Sequence, residues 1–104
     1  MATISTPIVY SAELWYLGSD EEPGWWIEST WSAFHVNGGS DVCVKTEIAI
    51  GDFLFRFNDE VTHLGEENSF VPGYEYPHGP GRALKVRYKG ASLGWSNWSV
   101  PVNF

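Results

Sequence analysis

The sequence predicts an all-β protein, a single antiparallel β-sandwich of six or seven strands. Apolar and polar residues alternate with a period of two in several segments, and no segment of about eleven residues or more has helical spacing. Glycine and proline separate the alternating segments, as they do in sandwich domains of about 100 residues. The 104 residues suffice for one domain of this kind and are too few for two ordinary ones.

Four strands are expected in the first half of the chain. The first, IVYSAELWYL, follows Pro7, and the second, WWIESTWSAFHV, runs into the turn residues Asn37-Gly38-Gly39. The third is VCVKTEIAI, in which Val42, Val44, Thr46, Ile48 and Ile50 alternate with Cys43, Lys45 and Glu47. Gly51-Asp52 has the residue types of a tight hairpin turn and leads into the fourth strand, FLFRFN. The second, third and fourth strands are expected to form a meander.

Two further strands are expected near the C-terminus. In ALKVRYK, the apolar Leu84, Val86 and Tyr88 alternate with Lys85, Arg87 and Lys89. The last strand, SVPVNF, contains Pro101, which cannot donate a ladder hydrogen bond, so this strand is expected at a sheet edge. The preceding stretch, HLGEENSFVPGYEYPHGPG, is rich in glycine and proline and is expected to be irregular.

The domain is expected to span residues 8–104, preceded by an extended N-terminal arm at residues 1–7. The N-terminal sequence has neither the basic region nor the apolar run of a signal peptide, which predicts synthesis in the cytoplasm. No stretch approaches the roughly 20 apolar residues of a membrane span, so no membrane partner is expected. Release by lysis or incorporation into a virion is compatible with this expectation.

The last 22 residues, ALKVRYKGASLGWSNWSVPVNF, resemble the final two strands of a fibronectin type III domain, a relative of the immunoglobulin-like sandwich. Within them, WSNWS (Trp95 to Ser99) is similar to the WSxWS box of type I cytokine receptors. The paired cysteines of those receptors are absent, since Cys43 is the only cysteine in the chain. The resemblance therefore implies a fold and does not imply a receptor function.

The resemblance also implies a structural role for the two tryptophans. In those receptors the indole rings stack between arginines of the preceding strand, and Lys85, Arg87 and Lys89 stand at the matching alternation. A cation over an indole face contributes about 0.5–2 kcal/mol, and guanidinium stacks better than ammonium. Arg87 is therefore expected between Trp95 and Trp98, and Arg87→Ala is expected to destabilise the domain about as much as Trp95→Ala.

The charge distribution argues against nucleic acid as a partner. The formal net charge is −7, and all 13 acidic residues precede Arg82. Four of the six basic residues lie between Arg82 and Lys89, which is too small a cluster for the net basic face that phosphate binding needs.

No arrangement of residues in the sequence indicates catalysis, a metal site or a cofactor. His35, His63 and His78 are too far apart in sequence for adjacent ligands, and no G-x-S-x-G or calcium-loop motif is present. Cys43 is expected to be a structural or incidental thiol. The acidic pairs, such as Glu21-Glu22, are expected to be solvated turn residues.

The aromatic surplus provides the candidate contact surface. A strand directs one of Trp25 and Trp26 inward and the other outward. Tyr74, Tyr76 and His78 lie in the long Gly/Pro-rich stretch, where functional loops are common. Tryptophan and tyrosine are frequent at protein interfaces and also stack on sugars, although packing within the protein is the alternative role for each of them.

These observations favour a non-catalytic structural or interaction module that binds other protein subunits. A multi-copy virion component is expected, such as a bacteriophage capsid decoration, cement or tail protein, acting as a homo-oligomer or bound to a particle. The alternative is a carbohydrate-binding module or lectin that uses exposed Trp and Tyr side chains on a glycan. A small enzyme is the least favoured class.

Overall fold

The computed structural model describes residues 1–16, 25–60, 68–70 and 83–104, with the backbone pairing alone described for 14–16, 25–28 and 68–70. In these residues it contains ten β-strands and no helix, and every strand pair is antiparallel. The all-β class predicted from alternation is therefore confirmed. The strands are β1 (Thr3–Ile4), β2 (Val9–Tyr16), β3 (Trp25–Trp31), β4 (Val36–Asn37), β5 (Cys43–Ile50), β6 (Phe53–Phe57), β7 (Asn68–Phe70), β8 (Ala83–Gly90), β9 (Gly94–Trp95) and β10 (Val102–Asn103).

The described strands form three sheets. The largest has the order β10-β8-β5-β6, with β9 also paired to β8, and a second has the order β2-β3-β7. A third, small sheet joins β1 to β4. Strand β10 lies at an edge, as Pro101 predicts.

The predicted meander is wrong at its first strand. The hairpin of β5 and β6 forms around Gly51, which has a φ of 58°, but β3 pairs with β2 and β7 instead of β5. The connection from Trp31 to Cys43 is longer than the two to five residues that hairpins prefer, and its middle pairs with the N-terminal segment. Strand β7 lies in the stretch that was expected to be irregular.

The N-terminal segment lies along its own chain. Beside the β1–β4 pair, the Ser5 amide donates to the His35 carbonyl at 2.8 Å, and the Asn37 side-chain amide donates to the Ser5 hydroxyl at 2.6 Å. Pro7 is buried. These contacts attach residues 3–5, part of the segment expected to form an arm, to the β3–β5 connection.

One hydrophobic cluster contains residues from both larger sheets. Its members are Val9 and Trp31 from the β2–β3 side and Ile48, Ile50, Leu84, Val86 and Tyr88 from β5 and β8. At its centre, the Trp31 indole N–H donates to the Tyr88 hydroxyl at 2.9 Å, and that hydroxyl donates to the Ser32 carbonyl at 2.8 Å. Burial raises the pKa of Tyr88 far above its ordinary value, so this residue remains a neutral donor.

The described residues include no helix that is long and apolar enough to cross a membrane.

Candidate functional site

Strand β8 presents two faces of opposite chemistry. Leu84, Val86 and Tyr88 are fully buried in the core, whereas the alternate residues Lys85, Arg87 and Lys89 are partly exposed on the other face. This division follows from the period of two in ALKVRYK. It places three cations in a row on the outer face of the largest sheet.

The two serines of WSNWS bind this segment to the edge of β8, between the pairings of β8 with β9 and with β10. The Ser96 amide donates to the Tyr88 carbonyl at 2.7 Å, and the Ser96 hydroxyl accepts from the Tyr88 amide at 3.0 Å. Ser99 repeats both bonds with Val86, each at 2.8 Å. Each serine therefore satisfies both backbone groups of one β8 residue, a task that usually needs a complete strand partner.

This docking explains the spacing of the motif. A step of three positions in the segment, from Ser96 to Ser99, pairs with a step of two positions in β8, from Tyr88 to Val86. The tryptophan before each serine is thereby placed over the same outer face. The W-S-x-W-S pattern thus fixes the backbone through its serines and positions the rings through its tryptophans.

The rings and cations interleave in the order Lys85, Trp98, Arg87, Trp95, Lys89, which we call the ladder. The guanidinium carbon of Arg87 lies 4.1 Å from the centroid of the Trp95 ring and 4.5 Å from that of Trp98. The Lys85 ammonium lies 4.7 Å from the Trp98 centroid, and the Lys89 ammonium lies 5.7 Å from the Trp95 centroid. All four distances are within the roughly 6 Å range of cation–π attraction.

Glu47 forms an ion pair with Arg87, the central cation of the ladder. It lies directly opposite Arg87 on one side and Arg56 on the other in the β8-β5-β6 register. The Arg87 Nε donates to Glu47 Oε1 at 2.7 Å, the Arg87 Nη2 also contacts Oε1, and the Arg56 Nε donates to Oε2 at 2.8 Å. Alternation predicted that Glu47 would share the face of Lys45, but not that it would be only 2% exposed.

The two arginines keep Glu47 ionised. Burial raises the pKa of this carboxyl, but the hydrogen bonds and charges of Arg56 and Arg87 outweigh burial, so its pKa lies below the ordinary value. A carboxylate at this position fixes the plane of the Arg87 guanidinium, because two of its nitrogens contact the same oxygen. The ladder and the ion pairs consequently form one unit around Arg87.

Asp41 orders the turn that precedes the motif. Its carboxylate accepts hydrogen bonds from the amides of Leu93 (2.9 Å), Ser92 (3.1 and 3.2 Å) and Val42 (2.8 Å). The bond from Leu93 is the largest of the effects that lower the pKa of Asp41. A side chain at Gly90 would collide with this carboxylate, so glycine is needed there.

The structure describes the other candidate residues only in part or not at all. Trp25 and Trp26 lie in β3, opposite Tyr16 and Trp15 of β2, and their side chains are outside the described residues. Tyr74, Tyr76 and His78 also lie outside them. The proposed contact surface of these five residues therefore stays a prediction.

Cys43 carries the one thiol of the chain. Cys43 is half-buried, its thiol donates to the Lys45 carbonyl at 3.4 Å, and burial raises its pKa, which lowers the fraction of thiolate. Among the described side chains, no group of three or more His, Cys, Asp or Glu could hold a metal ion.

No protein-family model matches the chain, and neither a curated protein nor a solved structure matches it significantly. The class defined by the described residues is accordingly an all-β protein with a tryptophan–cation ladder on the outer face of its largest sheet.

Sequence reasoning missed the roles of Glu47, Ser96, Ser99 and Asp41. The alternation of polar residues in β5 and β8 was a signal that Glu47 and the cations could share a face. Their register, however, joins residues 40 positions apart, and the sequence contains no signal that sets it.

Proposed function

We propose that the chain is a single sandwich of the fibronectin type III or immunoglobulin-like type. The strand orders β2-β3-β7 and β10-β8-β5-β6 support this proposal, because immunoglobulin-like domains likewise divide strands A, B and E from strands C, F and G. The shared core of Val9 and Trp31 with Ile48, Val86 and Tyr88 supports it further, since a sandwich buries the inner faces of two sheets against each other.

We propose that this domain is a non-catalytic structural module that binds other protein subunits in many copies, such as a bacteriophage capsid decoration, cement or tail protein. The observation that carries the structural part is the ladder. Cations cover Trp95 and Trp98 on both sides, so the motif that most resembles a binding site is engaged within the fold. The indole faces of this motif are thus occupied, which disfavours sugar stacking on them.

Exposed apolar side chains support a protein-binding role. Ile8 and Tyr10 are 60% and 66% exposed on either side of the buried Val9, and Val100 is 81% exposed ahead of β10, which contacts β2. Burial of such residues against another protein provides the area that subunit contacts need. A virion component works in many copies, so each copy needs surface area of this kind for its contacts with neighbouring subunits.

The test is binding to purified virion shells, measured by co-sedimentation together with the mass of the protein in solution. We expect saturable, stoichiometric binding to a shell, with at least about tenfold weaker binding for Tyr10→Ser and unchanged binding for the control Thr6→Ser. A strict monomer that binds no particle would contradict the proposal. Binding to polysaccharide, seen as a change in tryptophan fluorescence without particle binding, would favour the lectin alternative.

A further inference from the structure

The outer face of the largest sheet concentrates the positive charge of an acidic chain. Strands β5, β6 and β8 contain five of the six Lys and Arg residues but only one of the 13 Asp and Glu residues. The register places all five cations on one face, which we call the basic face, and they are Lys45, Arg56, Lys85, Arg87 and Lys89. The single acid of this face, Glu47, is buried between two of them.

The like charges of this face are not balanced within the described chain. Lys45 lies directly opposite Lys89, an arrangement that is unfavourable for two cations. The ion pairs of the described residues involve Glu47 with Arg56 and Arg87, and none of them includes a lysine. Lys45 is exposed, and so is 69% of the Arg56 side chain. The ladder leaves these two cations uncovered.

The rest of the chain has the opposite charge. Outside these three strands there are 12 acidic residues and one basic residue, Arg82. Asp52 and Asp59 are exposed on the turns that flank β6, and Glu13 is exposed on β2. These exposed carboxylates are opposite in charge to the basic face of another copy of the same chain.

We infer that the basic face docks onto exposed acidic residues of a second copy, of which Glu13, Asp52 and Asp59 are the described candidates. Such a contact either closes a two-fold dimer, when both pairs of surfaces meet reciprocally, or builds a ring or an open chain of subunits. This inference rests on the proposed multi-copy function and names the face that one copy offers to the next. The net charge of −7 opposes association at long range, so the contact is short-ranged and sensitive to single charges.

The test compares two variants that lower the net charge equally. Lys45→Gln removes an exposed cation from the basic face, whereas the control Thr6→Glu adds an acid to an exposed position outside strands β5, β6 and β8. Sedimentation velocity at about 0.1 M salt, where the Debye length is about 10 Å, measures association as protein concentration rises. We expect wild type to associate as its concentration rises. Lys45→Gln should raise the dissociation constant at least about threefold, and Thr6→Glu should change it less than about twofold.

Carbodiimide cross-linking of a mixture of ¹⁵N-labelled and unlabelled protein identifies the contact directly. We expect amide cross-links between copies from Lys45, Lys85 or Lys89 to Asp or Glu. A monomer at all concentrations, or equal association of Lys45→Gln and wild type, would overturn the inference. Binding of a sulfated oligosaccharide to the basic face, without self-association, would also overturn the inference. Binding of a monomer to virion shells would overturn this contact between copies and leave the proposed function standing.

Discussion

The two faces of strand β8 are stabilised in different ways. On the inner face, Leu84, Val86 and Tyr88 have 0% exposure and contribute mainly by removing apolar area from water. On the outer face, Arg87 contributes through directed contacts to two rings and one carboxylate. Residues that are adjacent in sequence are therefore sensitive to different changes. Stability depends on side-chain volume on the inner face, and on the partners of Arg87, including the ionised Glu47, on the outer face.

The largest expected effect lies on the inner face. Tyr88→Ala should lower the free energy of unfolding by about 3–5 kcal/mol, because it leaves a large cavity in the core. Chemical denaturation followed by circular dichroism measures this change. The matched variant Tyr88→Phe keeps the volume but removes the hydroxyl that bonds to the Trp31 N–H and the Ser32 carbonyl, and should cost about 1–3 kcal/mol. Equal losses for the two variants would contradict the cavity explanation.

Arg87→Ala should have the largest effect on the outer face, about 2–4 kcal/mol. It removes a cation from two rings. It also leaves the buried Glu47 with one arginine partner, Arg56, whose side chain is 69% exposed. The structure replaces the equal losses expected from the sequence with unequal ones, since Trp95→Ala leaves the ion pair of Arg87 with Glu47 in place and should cost about 1–2 kcal/mol. Lys89→Ala, at the end of the ladder, is the control and should cost less than about 1 kcal/mol.

The pH dependence of stability should report on Glu47. Its pKa is lower in the folded protein than in the unfolded chain, so its stabilising contribution is fully present above the unfolded value of about 4.3. The contribution is lost as the pH falls through the folded pKa. Wild type should therefore lose stability faster than Glu47→Gln on acidification from pH 5 to about pH 3, as measured by urea denaturation. Parallel curves for the two proteins would contradict this role.

A further expected effect, similar in size to that of Trp95→Ala, concerns the serines. Ser99→Ala should cost about 1–2 kcal/mol, because the buried Val86 amide loses the hydroxyl that accepts its hydrogen bond. Hydrogen exchange should show faster exchange of the Val86 amide in this variant, whereas Asn97→Ala, at the exposed centre of the motif, should leave it unchanged. Unaltered exchange at Val86 in Ser99→Ala would mean that another group accepts the bond.

The sequence was sufficient for those features that depend on local pattern. Alternation located β5, β6 and β8, and Gly51-Asp52 located the hairpin, because strand period and turn chemistry are local properties. The interleaving of Arg87 with Trp95 and Trp98 was expected from the resemblance, since the motif and the cations lie within one hairpin-like segment.

Features that depend on distant pairing were not predictable in this way. Whether β3 pairs with β5 or with β2 depends on which faces the whole chain can bury, and local pattern does not determine this choice. Likewise, the burial of Glu47 requires Arg56 and Arg87 from two different strands to align with it. Its charge alone predicts exposure.

The most direct test of the ladder is a double-mutant cycle between Arg87 and Trp95. Arg87→Met, Trp95→Leu and the double variant are compared with wild type by denaturant unfolding at pH 7. The loss of the Glu47 ion pair is common to Arg87→Met and the double variant, so it cancels in the coupling energy of the cycle. If the ladder stabilises the fold, the two side chains should show a favourable coupling energy of about 1–2 kcal/mol. A coupling energy of about 0 kcal/mol, with additive losses, would show that ring and cation are adjacent without stabilising each other and would contradict the account.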